Sequence, residues 1–226
     1  MTTTCFSVVR GKRVRVTELD SCGTPVIGGA FVVSDGFIQV ALTAELEKGD
    51  EFIQKNANGA LCINERDPDS LKRLNVTVDW CQVDPDIINL ITGAPVEVDG
   101  GSGGDVVGFR IQEGAADTNW GLEVWTGLGG DQCTDGDVSY GYVLVPFITG
   151  ATLGDITIEN GASTFQTTGY TKGYAGWGVG PYEVVGTNAA PTVLDDAIGD
   201  TDHALVRVVH VDPPAAVCGA QVLTSL

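Results

Sequence analysis

Apolar and polar residues alternate through the first half of the chain, the mark of strands that bury one side. In 37–47, Ile38, Val40, Leu42, Ala44 and Leu46 share one face, and Gln39, Thr43, Glu45 and Glu47 share the other. Residues 75–81 repeat the pattern, with Val76, Val78 and Trp80 opposite Asn75, Thr77 and Asp79. A third candidate strand sets Val14 and Val16 against Arg13, Arg15 and Thr17, and Glu18 ends its apolar row. Between these strands lies a long polar connection, 48–74, of the length that is usually functional or mobile. Within it, 52–54 and 61–63 read as a short strand pair turning at Asn58-Gly59.

Helical spacing is scarce. Ile87, Leu90 and Ile91 fall on one face of the segment 84–93, where Asp84 suits the cap, Pro85 the first turn and Gly93 the exit. The second half reads as further strands at 106–112, 120–126, 138–148, 156–159, 164–171, 182–185 and 205–211, with a hairpin signal at Asn160-Gly161. The run Gly100-Gly101-Ser102-Gly103-Gly104 could mark a domain seam but reads better as a hairpin tip or surface loop, because strands resume on both sides of it. Ten or so short strands and one helix predict an all-β sandwich or barrel. The length of 226 residues fits a single domain over 1–226, with room for an insertion or surface subdomain at about 100–200.

Composition sharpens this picture. Glycine, at 31 residues, is about twice its usual share, and it is dispersed beside Asn, Asp and Thr as in turns. Thirty acids stand against twelve Lys and Arg, a net charge of −18. The first seventeen residues invert that balance, with Arg10, Lys12, Arg13 and Arg15 and no acid. So acidic a body repels phosphate, which argues against nucleic-acid binding. A basic start on an acidic body suits head-to-tail contact between copies. No apolar run reaches the length of a membrane span, and the N-terminus lacks a signal-peptide core, so cytoplasmic synthesis is expected. Six cysteines (Cys5, Cys22, Cys62, Cys81, Cys133 and Cys218) allow fifteen disulfide patterns, but that origin favours reduced, buried thiols.

Catalytic and metal signatures are thin. His203 and His210 would have to serve any triad, and no G-x-S-x-G elbow presents a serine. The 131–137 segment has acids at Asp131, Asp135 and Asp137 but lacks the alternate carboxylates and closing Glu of an EF-hand. Asp195, Asp196, Asp200 and Asp202 read as solvated acidic turns. Trp80, Trp120, Trp125 and Trp177 lie on separate segments and read as core or interface residues before they read as sugar platforms. The expectation is a non-enzyme with no metal and no cofactor.

Three stretches resemble the major tail, or tail tube, proteins of long-tailed bacteriophages, especially those infecting actinobacteria. They are Val14-Arg15-Val16-Thr17-Glu18-Leu19-Asp20-Ser21-Cys22-Gly23-Thr24-Pro25, then Asp50-Glu51-Phe52-Ile53 with 56–62, then 80–86 running into Leu90-Ile91-Thr92-Gly93. The resemblance covers about residues 14–93. It implies a β-sandwich with a flanking helix and a long stacking loop. It further implies six-membered rings whose inner strands join around a lumen. The partners implied are other copies of the chain, a tape-measure protein, and tail terminator and distal tail proteins. Viral DNA passes through without specific binding, and no membrane is involved. The location implied is the virion tail, assembled in the host bacterial cytoplasm.

On that reading the polar strand faces line an acidic lumen, with Glu45, Glu47 and Asp79 as candidates. Contact between rings falls to the basic arm, Arg10, Lys12, Arg13 and Arg15, and to Asp50, Glu51 and Lys55 of the long loop. Another virion part, such as a neck, terminator or decoration protein, shares the composition. A carbohydrate-binding β-sandwich is the rival of a different class, and a hydrolase is the third.

Overall fold

The computed structural model describes residues 6–100, 103–114, 117–129, 139–158, 160, 163–173, 177, 184–185, 191–192, 194 and 196–224. In chain order these form β1 (Ser7–Glu18), β2 (Ala30–Ser34), β3 (Phe37–Glu47), β4 (Glu51–Lys55), β5 (Leu61–Arg66) and β6 (Ser70–Trp80). The helix α1 (Pro85–Thr92) follows, then β7 (Val96–Val98), β8 (Val106–Phe109), β9 (Trp120–Gly129) and β10 (Tyr140–Thr157). The chain closes with β11 (Thr164–Thr171), β12 (Val184–Val185), β13 (Pro191–Thr192), β14 (Leu205–Val209) and β15 (Val217–Val222). The protein is an all-β, sandwich-like fold with one short helix. Where the sequence suggests separate strands at 138–148 and 156–159, one long strand, β10, runs through both.

A nine-stranded antiparallel sheet carries the fold in the order β15-β2-β1-β9-β10-β11-β6-β3, with β14 also on β10. The long strand β10 makes this order possible. Its first part, 140–144, lies between β9 and β14, and its later part, 148–157, pairs with β11. Register shifts against both β9 and β11 bend it between these two settings. Gly150 sits at the bend with φ 62°, and a side chain there would run into the Tyr170 ring.

The bend folds the sheet around its main core. Val14, Val16, Leu122, Val124 and Trp120 from one part meet Val76, Val78 and Trp80 from the other. Ile87, Leu90 and Ile91 of α1 pack into the same cluster. The helix is set by the predicted residues: Asp84 accepts a bond from the Asp86 N–H at 3.0 Å, and the Gly93 N–H closes the end on Asn89 at 2.7 Å. Asp84 also accepts from the Gly219 N–H at 2.7 Å and Asp86 from the Ala220 N–H at 2.9 Å. These bonds tie β15 to the helix start.

A second cluster covers the opposite face of β9 and β10, with Trp125, Tyr142, Leu144, Phe147, Trp177, Leu194 and Ile198. Of the two readings of the glycine run, hairpin tip or surface loop, the pairing of β7 with β8 favours the first, with Gly100, Gly103 and Gly104 between the two strands; residues 101 and 102 lie outside the described set. The thiols differ from expectation. Cys22, Cys62, Cys81 and Cys218 are free but exposed, because they fall in a turn, on the β4–β5 hairpin, just past β6 and on β15. Cys5 and Cys133 lie outside the described residues.

Candidate functional site

Four strands, the later part of β10 with β11, β6 and β3, make a sheet with two unlike faces. Registration places Gln39, Ala41, Thr43 and Glu45 of β3 beside Asp79, Thr77, Asn75 and Arg73 of β6. Gln166, Thr168 and Tyr170 of β11 continue that row, and Thr152 of β10 follows through a hydroxyl contact of 2.8 Å with Thr168. This face is polar apart from Ala41. The other face carries Val40, Val76, Val78 and Trp80 into the core, and the Trp80 indole donates to Thr167 at 3.0 Å.

The three lumen candidates all belong to the polar side of this sheet or its upper end, but the surface is less acidic than expected. Glu45 accepts two bonds from Arg73, at 2.7 and 3.1 Å, and lies 3.2 Å from the Lys72 ammonium. Those two cations push its carboxyl down to about 2, the Arg73 bond contributing most. Arg73 also stacks over the Tyr170 ring. Asp79 accepts from the Gln39 and Gln166 amides at 2.6 and 2.8 Å. Glu47 is exposed at the end of β3. Hydroxyls and amides dominate, with two cations set against three acids.

Both edges of this sheet are open among the described residues. β3 pairs only with β6, so its outer edge has no neighbour. On β10, pairing with β9 stops at Ile148, leaving 149–157 unpaired on that side. The apolar row of β3 is the unexpected part. Val40 packs on the core, but Leu42, Ala44 and Leu46 on the same face are exposed. They lie at the free edge, past the cover that α1 provides.

The long loop forms the β4–β5 hairpin, turning through 56–60 as the sequence suggests. The Asn56 carboxamide accepts from the Asn58 and Ala60 N–H groups, and Gly59 takes φ 81°. Every residue of both strands is exposed, including Phe52, Ile53, Leu61 and Ile63. An isolated two-stranded hairpin is marginal in water. Asp50, Glu51 and Lys55 stand on this arm, as anticipated.

The basic arm divides. Arg10 and Lys12 are exposed, with the Lys12 ammonium 5.1 Å above the Tyr140 ring. Arg13 lies 3.2 Å from Asp35. Arg15 does not belong to an outward contact. It is 2% exposed and paired through both its Nε and Nη2 with Glu123, which is fully buried, and Tyr142 donates to the same carboxylate at 2.6 Å. Strand alternation sends Arg15 to a polar face, but the second core cluster covers that face. Glu123, the lone acid in the apolar run 120–126, was the signal for this pair.

Other chemistry is accounted for. All four tryptophans are buried, so none offers a face to a sugar ring. His203 and His210 flank β14, bonded to Thr171 and Ser139 at 2.7 and 2.8 Å. Asp202 accepts from Gly199 in a local turn, while Asp195 and the 131–137 segment lie outside the described residues. Among the described residues, no three His, Cys, Asp or Glu side chains come together as a metal site. No described helix is long and apolar enough to cross a membrane. No family model matches the chain, and no curated protein matches it in sequence.

Proposed function

We propose that the chain is a self-assembling structural subunit of the tail tube type, in which copies close into rings through one sheet and rings stack through an arm. One observation carries this reading: a four-stranded sheet, polar on one face and apolar on the other, with both edges unpaired among the described residues. β3, β6, β11 and β10 alternate in direction, so β10 runs antiparallel to β3. Rotating one copy beside another therefore sets the free edge of β3 against the free edge of β10 in antiparallel sense. Such a contact is heterologous and closes when the rotation divides a circle. It removes two long edges that would otherwise template aggregation.

The faces then sort themselves. The polar face turns to the lumen and the core face turns outward toward α1. Six copies, the number implied by the resemblance, contribute about 24 strands. At ~4.8 Å spacing and ~40° tilt, these close at a backbone diameter of about 48 Å. Barrels of about 16 to 18 strands already enclose water. A wall of hydroxyls and amides, with its two cations Arg73 and Lys72 held in ion pairs by Glu45 and only Asp79 and Glu47 left without a cation, gives a passing duplex little to bind its phosphates and only a weak repulsive field. The β4–β5 hairpin, with its unpartnered apolar side chains, is the stacking arm.

The test is expression of the chain alone, with negative-stain electron microscopy and sedimentation across protein and salt concentrations. Hollow tubes or stacked rings with a central channel are the expected result. Discrete rings that never stack would favour a neck or terminator part, and a chain monomeric under every condition would overturn the reading.

A further inference from the structure

Beside the free edge of β10 lies a groove of about 400 Å³. Ala151 and Leu153 form one wall, Ala94 and Pro95 after the helix form another, and Ile111 and Glu113 after β8 form the third. Ala151 packs on the main core, and Leu153 is registered with the buried Thr167, so the groove opens on the apolar side of the sheet. Ile111 is 67% exposed at its rim. Nothing in the described chain fills it.

At the other edge of the same sheet, Leu42, Ala44 and Leu46 stand exposed on that same apolar side. Their level matches the groove. Leu42 is registered with Val76 and Val76 with Gly169, and Gly169 lies between the residues paired to Thr149 and Thr152. Leu42 is therefore level with Ala151, within the stagger that barrel closure introduces. The free segments are also alike in length, since β3 spans Phe37–Glu47 and the open side of β10 spans 149–157.

We infer that the groove receives the β3 edge of a second copy, with Leu42 entering between Leu153 and Ile111, so that the loop after β8 clamps the neighbour's strand from outside the ring. This rests on the ring reading above and adds to it a seat, a knob and a clamp. Backbone pairing alone permits a slide of two residues without changing faces. A side chain seated in this groove fixes one register, and with it the curvature that sets the number of copies.

The test uses the full chain with a photoreactive benzoylphenylalanine at position 111. Irradiation of assembled rings is expected to link that position to β3 of another copy, as mapped by peptide mass spectrometry. Ile111→Asp, at so exposed a position, is expected to leave the monomer's circular dichroism and melting unchanged. It should raise the protein concentration needed for rings about tenfold or more. Rings whose cross-links map elsewhere, or that form from Ile111→Asp at the wild-type concentration, overturn the groove assignment and leave the ring reading intact. A wild-type chain that forms no ring removes both.

Discussion

Strands β9 and β3 are of similar length and belong to one sheet, yet their surroundings are opposite. β9 has a strand on each side and a core cluster on each face, and almost all of it is buried. β3 has one neighbour, a polar face open to water and an apolar row that is covered only near Val40. The first region is completed by its own chain. The second has the same alternation of residues but, among the described residues, a strand on one side only, and the β4–β5 hairpin pairs only within itself. Burial within a monomer thus separates what holds this fold together from the surface that the ring proposal assigns to another copy.

The sharpest way to break the contrast is at the completed region. Glu123→Ala leaves the Arg15 guanidinium buried with its carboxylate gone. Loss of one member of such a pair is expected to cost about 3–5 kcal/mol in denaturant unfolding. A cost below about 1 kcal/mol would mean that the pair is not sealed from water as described. At the unfinished region the same measurement should barely move. Phe52→Ser with Ile63→Ser on the exposed hairpin is expected to change monomer stability by no more than about 0.5 kcal/mol. Sedimentation of that double variant should show rings in place of tubes, and intact tubes would take the hairpin out of stacking.

The smallest effect concerns the Glu45 contact on the polar face. Its carboxyl is held down to about 2 by Arg73 and Lys72, so the folded form favours the ionised state. The contribution is complete above the ordinary value of 4.5 and fades as pH falls toward about 2. Carbon-detected NMR of the labelled side chain should give a midpoint near the lower figure. A midpoint near 4.5 would show that the two cations do not hold the carboxylate. Because the contact is largely solvated, melting should shift little over this range.

Much of the local structure was legible because local rules decided it. β3 and β11 begin and end where alternation places them, and α1 is bounded by the cap, proline and glycine that suggested it. Strands β2, β7, β13 and β15 were not read, being short or, for β15, defined by pairing to β2 and by bonds to Asp84 and Asp86 far away in the sequence. Arg15 was misplaced for the same kind of reason. Alternation states which side a residue takes, but a cover that includes Trp177, Leu194 and Ile198 decides whether that side is wet. Glu45 and Asp79 read as polar-face residues of two separate strands; that the strands pair and bring them to one side of a sheet, with cationic and amide partners beside them, was not visible one strand at a time.

The continuity of β10 has a mechanical consequence. Its later part borders the open edge, and its earlier part is gripped on both sides by β9 and β14. A pull on the open edge directed along the strand travels through covalent backbone into a segment flanked by two ladders, where hydrogen bonds are loaded side by side in shear and must yield together. A pull across the sheet meets those bonds one after another, as a zipper does. The protein is therefore stiff along the strand and compliant across it, and in an assembly built on that edge bending would concentrate at the seams between copies.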